Sequence, residues 1–307
     1  MDETDYRDLI DEDTWEFIRT CARHLPPDST RLPLDEQRAM HDALCRALHA
    51  DLPAGVMLDD QTFGGVPCRL YQPAAASGSV VWLHGGGFRL GTLQADDDIC
   101  AEIAAATGLR VVSVGYRLAP EHPHPAAFQD ALTASLAVAR AFPGPLLLAG
   151  EDAGASLAAS VAHAARGRIA LAGQVLICPA LGGDRDRGSY LSHAVAPMLG
   201  RQDVLRLASL RHDGRAPAAD PTSDALRDTD FRGLPPTLIV TAQCDPTSDD
   251  GRNYRDAIRA AGGRARWTEE PGLVHGFLRA RHRAARAADS FARITTALAA
   301  MAQGRAV

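Results

Sequence analysis

Leu146-Leu147-Leu148-Ala149-Gly150-Glu151-Asp152-Ala153-Gly154-Ala155 is an apolar run followed by a turn with a glycine at either end. The run reads as a short strand, Leu146 to Ala149, and the small residues from Ala155 to Ala165 read as a helix. A strand, a glycine-flanked five-residue turn and a helix make the frame of a nucleophile elbow, in which small residues let the chain bend sharply and push the middle side chain out over the sheet. Serine normally stands in the middle. Here it is Asp152.

Working outward, Val80 to Leu83 is a strand running into His84-Gly85-Gly86-Gly87-Phe88, followed by a helix from Asp96 to Thr107. A glycine run in that place either cradles phosphate or binds an oxyanion. The spacing Gly85, Gly87, Gly91 imitates a dinucleotide fingerprint, but the next strand, Val111 to Val114, is followed by Gly115-Tyr116-Arg117 with no acidic residue, and no Gly-Lys-Ser/Thr follows the run. Oxyanion binding needs neither partner. The N–H groups of Gly85 and Gly86, with that of Ala153 after the elbow, are therefore the expected oxyanion hole.

Further strands are expected at Val56 to Phe63 and Val66 to Tyr71, an edge hairpin turned by Gly64-Gly65, and at Arg110 to Val114, Gln174 to Cys178, Thr237 to Gln243 and Ala265 to Glu269. Helices at Ala126 to Phe142, Gln202 to Leu210 and Asp249 to Ala261 alternate with them. That rhythm predicts an α/β fold, with a mostly parallel central sheet and helices on both faces. Residues 1–50 read as two or three amphipathic helices forming an N-terminal cap region. Residues 51–307 read as one catalytic domain, with a lid-like insertion at about 181–233.

Composition narrows the function. The 307 residues are 46% hydrophobic and carry a net charge of −6, and all 32 basic residues are scattered arginines, an arrangement unlike a nucleic-acid surface. Met1 to Phe17 is acidic where a signal peptide is basic and then apolar, and the six cysteines include no C-x-x-C pair. A cytoplasmic protein with reduced thiols is expected. No apolar stretch has bilayer length, so no membrane partner is expected. The eleven histidines show no metal-ligand spacing, and His122 and His124 flank Pro123 in a structural loop, so neither metal nor cofactor is expected. The expected partner is a small-molecule substrate, and the residues do not decide between a monomer and a homodimer.

Asp152, Asp245 and His275 follow three predicted strands in the order nucleophile, acid, histidine. With His84-Gly85-Gly86-Gly87-Phe88, Tyr116-Arg117-Leu118-Ala119-Pro120-Glu121-His122-Pro123, Asp245-Pro246-Thr247-Ser248-Asp249-Asp250-Gly251 and His275-Gly276-Phe277, the chain resembles the hormone-sensitive-lipase family of α/β-hydrolases, the bacterial carboxylesterase group with the His-Gly-Gly-Gly motif. The resemblance runs from His84 to Phe277. It implies the α/β-hydrolase fold with a helical cap, and Asp245 and His275 as acid and base. The family elbow reads Gly-Asp-Ser-Ala-Gly-Gly, whereas this one reads Gly150-Glu151-Asp152-Ala153-Gly154-Ala155, so the serine acyl-enzyme does not carry over.

A carboxylate is a poor nucleophile toward an ester carbonyl and a good one toward a strained or activated sp3 carbon. Attack there would give an alkyl ester of Asp152 that water activated by His275 resolves, the scheme of α/β-hydrolases with an Asp elbow such as epoxide hydrolases. Those enzymes protonate the leaving oxygen from cap tyrosines, and Tyr190, His193 and Tyr6 are the candidates here for contacts with substrate. Three other readings stay open: an esterase scaffold whose serine has been replaced, a non-hydrolytic dehydratase or cyclase using Asp152 and His275 as acid and base, and a ligand-binding protein that has lost the chemistry.

Overall fold

Period-two alternation within strands that are apolar throughout sorts their side chains onto two cores, one on each face of a sheet. In the computed structural model, which describes residues 3–215 and 219–305, Val80 and Trp82 of β3 (Ser79–Leu83) join one core while Val81 and Leu83 join the other. β5 (Leu146–Glu151) divides in the same way, Leu147 and Ala149 against Leu146 and Leu148. The other strands are β1 (Val56–Phe63), β2 (Val66–Pro73), β4 (Arg110–Val114), β6 (Gly173–Ile177), β7 (Thr237–Cys244) and β8 (Ala265–Val274). They form one sheet in the order β1-β2-β4-β3-β5-β6-β7-β8. Pairing is parallel from β4 to β8 and antiparallel through β1 and β2, the expected edge hairpin.

On the first face lie α4 (Asp97–Thr107) and α10 (Ala285–Ala302), through Ile99, Ile103, Ile294 and Leu298. On the second lie α5 (Ala126–Ala141), α6 (Ala153–Ala165) and α9 (Ser248–Ala260), through Ala131, Ala134, Leu157, Val161 and Ile258. The N-terminal segment folds as α1 (Glu3–Leu9), α2 (Glu12–His24) and α3 (Leu34–Leu48). Its Tyr6, Phe17, Leu44 and Leu48 are buried in the same core as Phe277 and Leu278. The insertion carries α7 (Ser189–Ser192) and α8 (Arg201–Arg211), with a small core of its own at Tyr190, Leu199 and Val204. Met1 and Asp2 of the cap region and residues 216–218 of the insertion lie outside the described residues, as do the last two residues of the domain. Among the described residues, no helix is long and apolar enough to cross a membrane.

One strand departs from expectation. β8 runs on to Val274 through Pro271-Gly272, which reads in sequence as loop. It is an edge strand, where proline is tolerated, and it slips past an irregularity between Ala242 and Cys244 of β7. The Gln243 Oε1 accepts the Gly272 N–H at 2.8 Å across that slip. The extension delivers His275 to the carboxyl end of the sheet, level with the residues that follow β3, β5 and β7.

Both elbow glycines are required by close backbone approach. A Cβ on Gly154 would lie 1.8 Å from the Leu83 carbonyl oxygen and 2.6 Å from that of His84, and one on Gly150 would lie 2.6 Å from the Leu83 oxygen. These neighbours are backbone and cannot rotate away. Gly154→Ala is therefore expected to cost about 3 kcal/mol or more by overpacking, and to lower the melting temperature by roughly 5 °C or more. A calorimetric scan showing no change would mean that α6 can lift off β3 freely.

Candidate active site

Asp152 sits between β5 and α6 at φ 52°, ψ −118°, a conformation that L side chains rarely adopt. Its neighbours hold it there. The Asp152 N–H donates to the Ile177 carbonyl at 2.9 Å, and its carbonyl accepts the Ser156 N–H at 3.0 Å and the Ser156 hydroxyl at 3.1 Å. The strain, of order 1–3 kcal/mol, is carried by the sheet on one side and the helix on the other.

After β3, Gly86 (φ 113°) and Gly87 (φ 59°) turn in succession and aim adjacent N–H groups at one point, a backbone nest for an anion. Both donate to Oδ2 of Asp152, at 2.9 and 2.8 Å. The donor pair is therefore Gly86 and Gly87, one residue beyond the expected Gly85 and Gly86. The carbonyl of Gly85 instead lies 2.7 Å from His84 Nδ1. Ala153 opens α6 next to the carboxylate and is not among its hydrogen-bond donors. Behind the loop, the Tyr116 hydroxyl donates to the His84 carbonyl at 2.7 Å, and the two rings stack with centroids 4.2 Å apart.

On the other side of Asp152, His275 Nε2 lies 3.4 Å from Oδ1, and His275 Nδ1 lies 2.8 Å from Oδ2 of Asp245. Asp245 is fully buried, and its second oxygen accepts the Thr247 N–H and hydroxyl, each at 2.8 Å. Burial alone would lower the His275 pKa, but the carboxylates of Asp245 and Asp152 outweigh it and hold the ring well above the ordinary histidine range. For Asp152, burial pushes the other way and is again overcome, by His275 and the N–H groups of Gly87 and Gly86, leaving its pKa at about 2. The two shifts favour an ion pair between Asp152 and His275. Asp152→Asn removes one of the two anions that raise His275, so its pKa should fall toward the ordinary range. NMR of the ring nitrogens through a pH titration checks this, and an unchanged titration would mean that Asp245 alone sets the charge.

Glu151, beside the elbow, is buried, its Oε1 has no hydrogen-bond partner among the described residues, and burial raises its carboxyl to about 7. Cys178, at φ 46°, comes with Asp245 and His275 within 4.8 Å, a spacing open to a metal ion. Burial raises that thiol well above its usual range, and the carboxylates beside the imidazole raise the pKa of His275.

Two spaces flank Gly87, and the smaller of them reaches the carboxylate of Asp152. A cleft of about 460 Å³ is lined by Ile18, Leu44, Gly86, Arg89, Met198 and Leu207, so that α2, α3, the glycine loop and α8 all face it. On the other side of Gly87, a small cavity of about 50 Å³ is lined by Asp152, Phe88, Leu199, Val204, Leu207 and Arg211, among others. Tyr190 and His193 line neither. The Tyr190 hydroxyl donates to Oδ2 of Asp250 at 3.1 Å, and the Tyr6 hydroxyl lies 3.2 Å from His193 Nδ1, so these side chains are taken up in packing. Their partners lie 60 and 187 residues away in the chain, beyond what local sequence can reveal. Gly87 is the donor that the sequence does not reveal, because its place depends on two backbone angles; Arg211, at the end of α8, also lines the small cavity.

The alpha/beta hydrolase fold family matches residues 80–279. Carboxylesterase NlhH of Mycobacterium tuberculosis is 36% identical over 228 residues, 69% of this chain and 71% of that protein. Esterase LipI of the same organism is 33% identical over 275 residues, 81% of this chain and 83% of that one. Among solved structures, a hyperthermophilic esterase from the archaeon Pyrobaculum calidifontis superposes with a TM-score of 0.88 at 29% identity, covering 96% of this chain and 99% of the other. An esterase from the bacterial hormone-sensitive lipase family gives a TM-score of 0.87 at 25% identity, covering 95% and 99%.

Proposed function

The chain belongs to the α/β-hydrolase-fold family of esterases, and from that premise we propose that it hydrolyses a small or medium hydrophobic substrate through a covalent ester of Asp152. The observation that carries the reading is the division of labour between the two oxygens of Asp152: Oδ2 lies between the N–H groups of Gly86 and Gly87, while Oδ1 is turned toward His275. In a serine enzyme that N–H pair receives the substrate's carbonyl oxygen. Here it is filled by the protein's own carboxylate, which disfavours attack on a carbonyl and leaves Oδ1 free to attack carbon.

In the first step Oδ1 displaces oxygen from a strained or activated sp3 carbon, as in an epoxide. A C–O bond to Asp152 forms, the old C–O bond breaks with its electron pair, and the alkoxide takes the proton held by His275. Esterification removes the charge that had raised the imidazole, so this proton is released more readily. Neutral His275 then takes a proton from water, and the hydroxide adds to Cγ of Asp152. Negative charge develops on Oδ2, already between its two donors. Collapse expels the product alkoxide, which is protonated by His275, and a final proton transfer restores carboxylate and imidazolium. Overall one water is added.

A single turnover in oxygen-18 water tests this, with styrene oxide as the probe. The label should enter the Asp152 carboxylate, making the peptide that contains it heavier by one oxygen-18, while the first product keeps the protein's oxygen. Label in the first product would mean direct attack by water and would remove the covalent step.

The names of the relatives favour a second reading, an esterase held inactive by the carboxylate in its own oxyanion hole. It predicts no epoxide turnover by the native protein and ester hydrolysis once Asp152 becomes Ser.

A further inference from the structure

We propose that the small cavity beside Asp152 is a carboxylate-binding subsite, so that the substrate carries an anionic carboxylate on a short arm next to the carbon under attack. The reaction this implies rests on the reading of Asp152 given above, but the binding does not. Arg211, the last residue of α8, is only 5% exposed. Its guanidinium stacks on Phe88 at 3.7 Å from the ring centroid and donates from Nη1 to the Ser223 carbonyl at 3.0 Å. Nη2 is buried, and among the described residues it has no hydrogen-bond partner. Among the same residues, no carboxylate stands within ion-pair distance of Arg211. A buried guanidinium with an open donor is costly to the free protein, and a ligand oxygen would relieve that cost.

The surroundings suit a small anion. Leu199, Val204 and Leu207 line the cavity and keep water sparse, which strengthens a charge-assisted bond. Burial lowers the Arg211 pKa to about 10, leaving it charged at neutrality, and Arg185 lines the same space. Asp152 and Asp224 are also on its walls. The charge of Asp152 is already met by two N–H groups and His275, and the charge of Asp224 acts on Arg211 without forming an ion pair with it among the described residues. A water needs roughly 10–15 Å³ by this measure, so about 50 Å³ takes a carboxylate with one or two carbons but no large body. The hydrophobic part would lie in the neighbouring cleft, which shares Gly87, Leu199 and Leu207 with the cavity.

Phenylacetate and phenylacetamide differ in charge and little in shape. Calorimetric titration of both into the native protein and into Asp152→Asn should show the acid binding more tightly, by roughly 10-fold or more in the variant. Arg211→Met should erase the preference and Arg211→Lys reduce it. Arg211→Met loses the Phe88 stack and could destabilise the fold, so the comparison between acid and amide on protein with Arg211 intact decides by itself. Equal affinity there, or a preference that survives Arg211→Met, overturns the proposal. Turnover of phenylglycidate against its methyl ester separates the two readings. Hydrolysis of both with no preference for the acid would sink the subsite and keep the covalent step. A preference for phenylacetate without epoxide turnover would keep the subsite and sink the covalent step.

Discussion

Asp152→Ser is expected to raise hydrolysis of p-nitrophenyl acetate by roughly 10⁴-fold, the combined worth of an emptied oxyanion hole and a working general base. Three changes coincide in that one substitution. The carboxylate oxygen leaves the N–H groups of Gly86 and Gly87, which then become available to a substrate carbonyl. One of the two anions that hold His275 as a cation disappears, and the ring becomes able to accept a proton. A hydroxyl then stands on the elbow near an imidazole whose Nε2 is 3.4 Å from the present Oδ1. Initial rates decide, with Asp152→Asn as the control that keeps the shape and should gain nothing. The same serine variant should lose any epoxide opening, since a neutral hydroxyl does not replace an anion in attack on sp3 carbon. A serine variant as inert as the native protein toward esters would show that the cleft does not admit an acyl substrate in the required pose, whatever stands at position 152.

His275→Gln should separate the two half-reactions. Attack by Oδ1 needs no base, because the N–H groups of Gly86 and Gly87 still favour the anionic form of Asp152 once the imidazole is gone, but resolution of the ester needs water to be deprotonated. With 2-bromoacetophenone, whose bromide leaves without a proton, the variant should form one adduct and then stall, with resolution slower by roughly 10²- to 10⁴-fold. Intact-mass measurement would show the added phenacyl group, and peptide mapping would place it on Asp152. The six cysteines are all buried, which limits the competing alkylation. Loss of turnover with no adduct would mean that His275 acts before any covalent bond forms, as the elimination or cyclisation reading requires.

Much of this site is legible in the sequence, and the reason is geometric. Gly150 and Gly154 are needed by backbone crossings at Leu83, and Asp245 and His275 follow strands of one parallel sheet, so the sequence order carries spatial information. Features that depend on a few torsions or on distant contacts could not be read. The N–H pair fell one residue from its expected place because it is set by φ at Gly86 and Gly87. Pro271-Gly272 looked like punctuation because its tolerance rests on β8 being an edge strand. The Tyr190 hydroxyl is spent on Asp250, while Arg211 lines the cavity and, among the described residues, its Nη2 has no hydrogen-bond partner.

The unusual backbone at residue 152 is fixed by its glycine neighbours, the Ile177 carbonyl and the first turn of α6, none of which involves its own side chain. The position therefore works as a socket. Serine, aspartate or another small polar residue can be fitted without re-forming the elbow, each inheriting the same strain and the same view of His275. A lineage could then cross from one reaction class to another through a single altered position, with the rest of the machinery standing ready on either side of the change.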